Sequence, residues 1–152
     1  MARKRMLSPS FFTSKPVASL SIPAMVTLAG LWCYLDDYGR GEDDTSMIKA
    51  EVWPRRRAVG EREIGKHLAE IEAQRLVCRY QVNSESLLHI PSWGEHQKVS
   101  HPQKETVPPC EFHEPEAWSL FTAGELPHLS RFVIDLRTVP ERFANVSGRT
   151  PE

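Results

Sequence analysis

Ala58-Val-Gly-Glu-Arg-Glu-Ile-Gly-Lys-His-Leu-Ala-Glu-Ile-Glu-Ala-Gln-Arg75 is the stretch on which the fold reading turns. Ile64, Leu68 and Ile71 recur at the four- and three-residue spacing that lines one face of an α-helix. Gly60 can cap that helix, and Arg62 and Lys66 project away from the apolar line. Just upstream, Arg55-Arg56-Arg57 follows Pro54, whose ring disfavours helical geometry at Trp53 and so stops the preceding helix, Ser46 to Val52, capped by Asp44-Thr45. A basic turn feeding an amphipathic helix suits a reader of the DNA major groove, which admits a helix and is flanked by phosphates.

Downstream of Arg75 the period changes to two. Leu76, Cys78, Tyr80 and Val82 alternate with Val77, Arg79 and Gln81, and Leu88 and Ile90 resume the alternation after a turn at Asn83-Ser84-Glu85-Ser86. The hairpin's polar side carries Arg79, Gln81 and His89. Thr45 to Pro91 therefore reads as helix, turn, helix and two short strands, the layout of a winged helix-turn-helix. The fold class expected is mainly α with a small antiparallel β-hairpin.

Upstream, Ser21-Ile22-Pro23 is a helix start, with a serine cap and a proline in the first turn. That helix carries Met25, Leu28, Ala29, Leu31, Trp32 and Leu35, apolar enough for a central core element, and Gly39 can end it. Residues 1–21 read as an irregular arm with an aromatic anchor at Phe11-Phe12, its Arg3-Lys4-Arg5 triplet either solvated or touching DNA. Residues 22–104 form the domain. Residues 105–152 hold six of the 12 prolines and read as an acidic, largely irregular linker or tail, in which Trp118-Ser-Leu-Phe121 and Phe132-Val-Ile134 leave room for a helical turn or a strand that docks on the domain. A weak echo joins Arg137-Thr138-Val139-Pro140-Glu141 to Arg149-Thr150-Pro151-Glu152.

Net charge is −1, but its distribution is uneven. Residues 1–104 hold 15 lysines and arginines against 12 acids, a net of +3, and residues 105–152 hold 4 against 8, a net of −4. Three cysteines at unrelated spacings give no disulfide framework, and Cys33 and Cys78 read as reduced core residues. The longest apolar region, Met25 to Leu35, is too short for a membrane span, so a cytoplasmic protein is expected.

No catalytic constellation appears: there is no Gly-x-Ser-x-Gly, no phosphate-cradling glycine loop and no His-Glu-x-x-His. The acidic loop Asp36-Asp37…Glu42-Asp43-Asp44 lacks the alternating oxygen ligands of a calcium site and reads as capping and solvation. Cys110-Glu-Phe-His113, with His96 and His101 upstream, lacks the matched second pair usual in zinc sites. No metal, cofactor or enzymatic activity is assigned. The DNA-binding set is Arg55, Arg56 and Arg57 on the phosphate backbone, Arg62, Lys66 and His67 at the major groove, and Arg79 on the wing. Glu61, Glu63 and Glu70 on the same helix repel phosphate and argue against strong sequence-independent binding.

Leu31-Trp-Cys-Tyr-Leu-Asp-Asp-Tyr-Gly-Arg-Gly-Glu-Asp43, Val52-Trp-Pro-Arg-Arg-Arg57, Ile71-Glu-Ala-Gln-Arg-Leu-Val-Cys-Arg-Tyr80, and Leu88-His-Ile-Pro-Ser-Trp-Gly-Glu-His-Gln97 with Ser100-His-Pro102 together carry a resemblance. Over residues 6–104 the chain resembles the winged-helix N-terminal domain of phage replication-initiation or replisome-organiser proteins, related to the primosome protein DnaD, in the form carried by phages of actinobacteria. The resemblance implies a protein that binds double-stranded DNA, self-associates as a homodimer, and marks an origin or recruits a helicase or another replication protein. The alternatives are a winged-helix module that captures a host replication or transcription factor, and a transcriptional regulator.

Overall fold

The computed structural model describes residues 3–132. Two short helices open it, α1 (Pro9–Thr13) and α2 (Lys15–Ala18). The side chains of Ser8 and Ser14 accept hydrogen bonds from the first-turn amides of these helices, and Pro9 and Pro16 sit where a missing N–H costs nothing. The expected irregular arm is thus helical, and it buries Phe11, Val17 and Leu20. Phe11 meets Trp32 edge to face at 5.4 Å.

α3 (Ile22–Tyr34) begins at the Ser21 cap with Pro23 in its first turn, as its sequence dictates. After Gly39, which takes φ +75°, the chain enters β1 (Arg40–Glu42), a strand too short to leave a period in the sequence. Asp44 caps α4 (Thr45–Val52) by accepting from the amides of Ser46 and Met47. α5 (Glu61–Ala73) starts at Gly60, whose amide donates to the Glu63 carboxylate at 3.0 Å. Arg75 ends the helix at φ +58°, with its own amide bonded to Glu72 and that of Leu76 to Ile71. The close approach of α3 to α4 needs Gly30, because a Cβ there would run into Val52.

β2 (Cys78–Val82) and β3 (Glu85–His89) form the hairpin, with Cys78 opposite His89 and Val82 opposite Glu85. Its connection is tighter than expected, only Asn83 and Ser84 at φ +51° and +66°. Positive φ at both central residues matches the right-handed strand twist. β1 pairs with β3 in antiparallel register, giving the order β1-β3-β2. Trp93 opens the short α6 (Trp93–His96) and folds onto the core.

The largest departure concerns residues 105–132. They read as tail, yet they contain α7 (Pro115–Thr122) and a 3-10 turn at Pro127–Leu129. Val107, Cys110, Phe121, Leu129 and Phe132 bury themselves against Tyr80, Val82 and Leu87. The sheet is therefore covered on both faces. Val77, Leu88 and Ile90 join α3, α4 and α5 in one cluster, while Tyr80, Val82 and Leu87 face the other. Burial on both sides explains the unbroken run Leu87-Leu88-His89-Ile90, since a one-sided strand would alternate. Scattered aromatics mark this layer only weakly, Trp118 and Phe121 on α7 being three residues apart.

Arg40 pins the layer in place. Buried at 2 % exposure in β1, it binds Glu114 through Nε and Nη2 and Glu105 through Nη1 at 2.8 Å. The acidic loop is likewise occupied by structure: Asp36 accepts from the amides of Tyr38 and Arg40, and Asp37 pairs with Arg3 and Arg5. Cys33 and Cys78 are half-buried, more exposed than their apolar settings imply, and all three cysteines are free. No described helix is long and apolar enough to cross a membrane. The echo between Arg137–Glu141 and Arg149–Glu152 lies outside the described residues.

Candidate nucleic-acid interface

Arg55, Arg56 and Arg57 lie exposed in the turn between α4 and α5. The turn begins where Pro54 forbids Trp53 a helical conformation, and Trp53 takes φ −125°, ψ 45°. Two devices fix its course. Lys49, on α4, donates from Nζ to the carbonyl of Trp53 and to that of Arg56, the latter at 2.7 Å. The Trp53 indole N–H donates to the Thr27 hydroxyl at 2.8 Å, and that hydroxyl lies 2.9 Å from Nδ1 of His67. This polar chain ties α3, the turn and α5 together under the arginines.

Arg62 and Lys66 stand four residues apart on the exposed side of α5, so they share a face. Ile64, Leu68 and Ile71 are fully buried on the other side. Among the described residues no side-chain hydrogen bond or ion pair within 4.0 Å engages Arg55, Arg56, Arg57, Arg62 or Lys66. The glutamates of the helix are engaged. Glu63 accepts from the Gly60 amide, and the amides of this helix start, its own first, hold its carboxyl below the usual range. Glu70 accepts from the amide and hydroxyl of Ser21, the latter at 2.9 Å, and so anchors the start of α3. Glu61 accepts from the Thr45 hydroxyl at 3.4 Å. Their charges remain, but each carboxylate is drawn to a local donor.

Two of the seven residues expected to touch DNA have other positions. His67 is 8 % exposed and turned inward to Thr27, because its place in the helix falls beside Ile64, Leu68 and Ile71. Burial holds its imidazole below the ordinary histidine value. Arg79 grips Asp43 with Nε at 2.6 Å and Nη2 at 3.1 Å, so its charge is matched within the fold. His89, expected on the polar side of the hairpin, is 2 % exposed beneath the second layer. The N-terminal cations are also partly committed: Arg5 donates to the carbonyls of Trp32 and Asp36 and lies over the Trp93 ring.

Of the seven residues expected at the interface, the turn triplet and the Arg62–Lys66 face are exposed and have no side-chain partner among the described residues. The sequence reading missed what positions them. Thr27 and Lys49 belong to no motif of the sequence. Only the fold shows that one accepts Trp53 and the other holds the turn's carbonyls. Comparison of the chain with family models, curated proteins and solved structures finds no match.

Proposed function

We propose that this chain is a winged-helix DNA-binding protein of the phage replication-initiation type, acting in origin recognition or helicase recruitment. The observation that carries the reading is the exposed arginine triplet before α5, without a side-chain partner among the described residues and with its turn hydrogen-bonded by Lys49 and Thr27. The succession helix, short strand, two helices and hairpin, with sheet order β1-β3-β2, is compatible with a winged helix and supports the same reading. In this arrangement α5 enters the major groove behind Arg62 and Lys66 while Arg55, Arg56 and Arg57 neutralise phosphates. Titrating duplex DNA at several salt concentrations tests it. Affinity that falls as salt rises is expected, because neutralised phosphates release counterions; no binding at low salt overturns it.

A second reading rests on Ile22 and Val26, exposed at 73 % and 39 % one turn apart on α3. Two apolar side chains facing water favour a protein contact, either a homodimer or a replication partner. Sedimentation of the wild type and of an Ile22→Asp variant separates this from DNA binding alone.

A further inference from the structure

We propose that Cys78, Cys110 and His113 bind one zinc ion, with the neighbouring His89, which lies outside their 4.8 Å cluster, drawn in as the fourth ligand, and that this ion fastens the second layer to the sheet. The three side chains come from elements the sequence keeps apart: Cys78 from the start of β2, and Cys110 and His113 from the segment before α7. Their donor atoms all lie within 4.8 Å of one another. Cys78 Sγ is 3.8 Å from Cys110 Sγ, and Cys110 Sγ is 3.5 Å from His113 Nδ1. A tetrahedral ion with Zn–S of about 2.3 Å and Zn–N of about 2.05 Å requires sulfur–sulfur and sulfur–nitrogen separations of about 3.8 and about 3.5 Å. The observed edges match both.

The surroundings point the same way. The sheet register sets His89 opposite Cys78, and its ring centroid lies 6.2 Å from that of His113. His89 Nδ1 is buried with no hydrogen-bond partner, an uncommon and costly state for a ring nitrogen that a metal would relieve. The Glu114 carboxylate is 3.7 Å from Nε2 of the same ring, a partner that fixes which nitrogen faces the ion. Burial raises the Cys110 thiol, while the amides of Phe112 and His113 act in the opposite sense and would stabilise a thiolate there. Burial and the neighbouring Cys110 push the Cys78 thiol up to about 12. Binding therefore displaces one proton from each sulfur, and the dication supplies the charge that two adjacent thiolates need. Thiolate and imidazole donors in tetrahedral array select zinc over the harder cations.

The Cys110–His113 pair was visible in the sequence, but its matched partners were not: Cys78 and His89 lie eleven residues apart on facing strands and meet only through the hairpin.

The test uses the full chain, purified under reducing conditions, stripped with chelator and titrated with zinc against a chromophoric competitor. One equivalent bound is expected, with a melting temperature that rises on loading. Cobalt substitution should give tetrahedral visible bands and a thiolate charge-transfer band that Cys78→Ser weakens. His113 is exposed, so His113→Ala should keep the fold by circular dichroism while losing ~10-fold or more in zinc affinity. His89→Ala should lose a comparable factor; unchanged affinity removes His89 from the set. Zinc uptake no greater than in a Cys78→Ser/Cys110→Ser double variant, or a cobalt spectrum without thiolate bands, overturns the proposal. Recovery of the chain under reducing conditions with an intact Cys78–Cys110 disulfide also overturns it.

Discussion

Arg40 reaches across from the sheet to Glu114 with two nitrogens, Nη2 at 2.7 Å from Oε1 and Nε at 2.9 Å from Oε2. Burial works against charge on Glu114, yet the hydrogen bonds from Arg40 hold its carboxyl below the usual range. Replacing the acid leaves a guanidinium buried with only Glu105 and the Val107 carbonyl to satisfy it. Glu114→Ala is therefore expected to lower stability by about 3 kcal/mol, the low end for breaking a buried pair because Glu105 remains. Urea unfolding checks it; a loss below about 1 kcal/mol would mean that the pair is effectively solvated.

That pair also marks what the sequence could and could not convey. The start of α3, the Pro54 stop, the Gly60 start of α5 and the hairpin were legible, because each rests on a local rule: a cap, a ring clash, a period of two. β1 and the layer of residues 105–132 were not. Arg40 has meaning only once Glu105 and Glu114 fold back over it, a relation spanning some seventy residues with no local trace. Of the expected interface, Arg55, Arg56, Arg57, Arg62 and Lys66 emerge exposed, since charged residues away from an apolar stripe stay in water. His67 does not, because it turns inward to Thr27, and Arg79, though exposed, is paired with Asp43; both partners lie elsewhere in the chain.

Thr27→Val tests the support beneath the turn. The substitution keeps the shape and removes the hydroxyl, orphaning both the Trp53 indole N–H and His67 Nδ1. A buried polar group left unpaired costs about 1–3 kcal/mol, so a loss of about 2 kcal/mol or more is expected by denaturant melt. DNA affinity should fall as well, since the arginine turn loses an anchor. A variant with wild-type stability would show that water replaces the hydroxyl.

The same histidine gives a pH dependence. Burial depresses the folded-state pKa of His67, with Glu70 and Glu63 opposing. Above the unfolded value of about 6.5 both states are neutral and the contribution is complete. As pH falls below that value the unfolded chain takes up its proton first, and stability is lost until the folded pKa is passed. His67→Gln should have a shallower stability slope than wild type between pH about 7.5 and about 5.5, whatever its absolute stability. Parallel slopes for the two proteins would count against this.

At the hairpin tip, Ser84 sits at φ +66°, where a Cβ is strained and glycine is not. Ser84→Gly yields Asn-Gly, the favoured pair for a two-residue turn of this hand. The gain expected is about 0.5–1 kcal/mol, from relief of the left-handed strain less the added flexibility of the unfolded chain. A lower unfolding midpoint would mean that the serine makes a compensating bond at the tip.

The arginine triplet yields the most direct test of the interface. Arg55, Arg56 and Arg57 have no side-chain partner among the described residues, so Arg55→Ala/Arg56→Ala/Arg57→Ala should leave the melting temperature nearly unchanged. Each phosphate contact removed lowers the slope of log affinity against log salt by about 0.9, so full engagement of the triplet predicts a drop of nearly 3. Because phosphates carry no sequence, the loss should be uniform across DNA sites. Arg62→Ala and Lys66→Ala, on the helix face, should instead weaken some sequences more than others if α5 reads base edges. A triple variant with an unaltered salt slope would remove the turn from the interface and leave the exposed α3 pair, Ile22 and Val26, as the chain's principal contact surface.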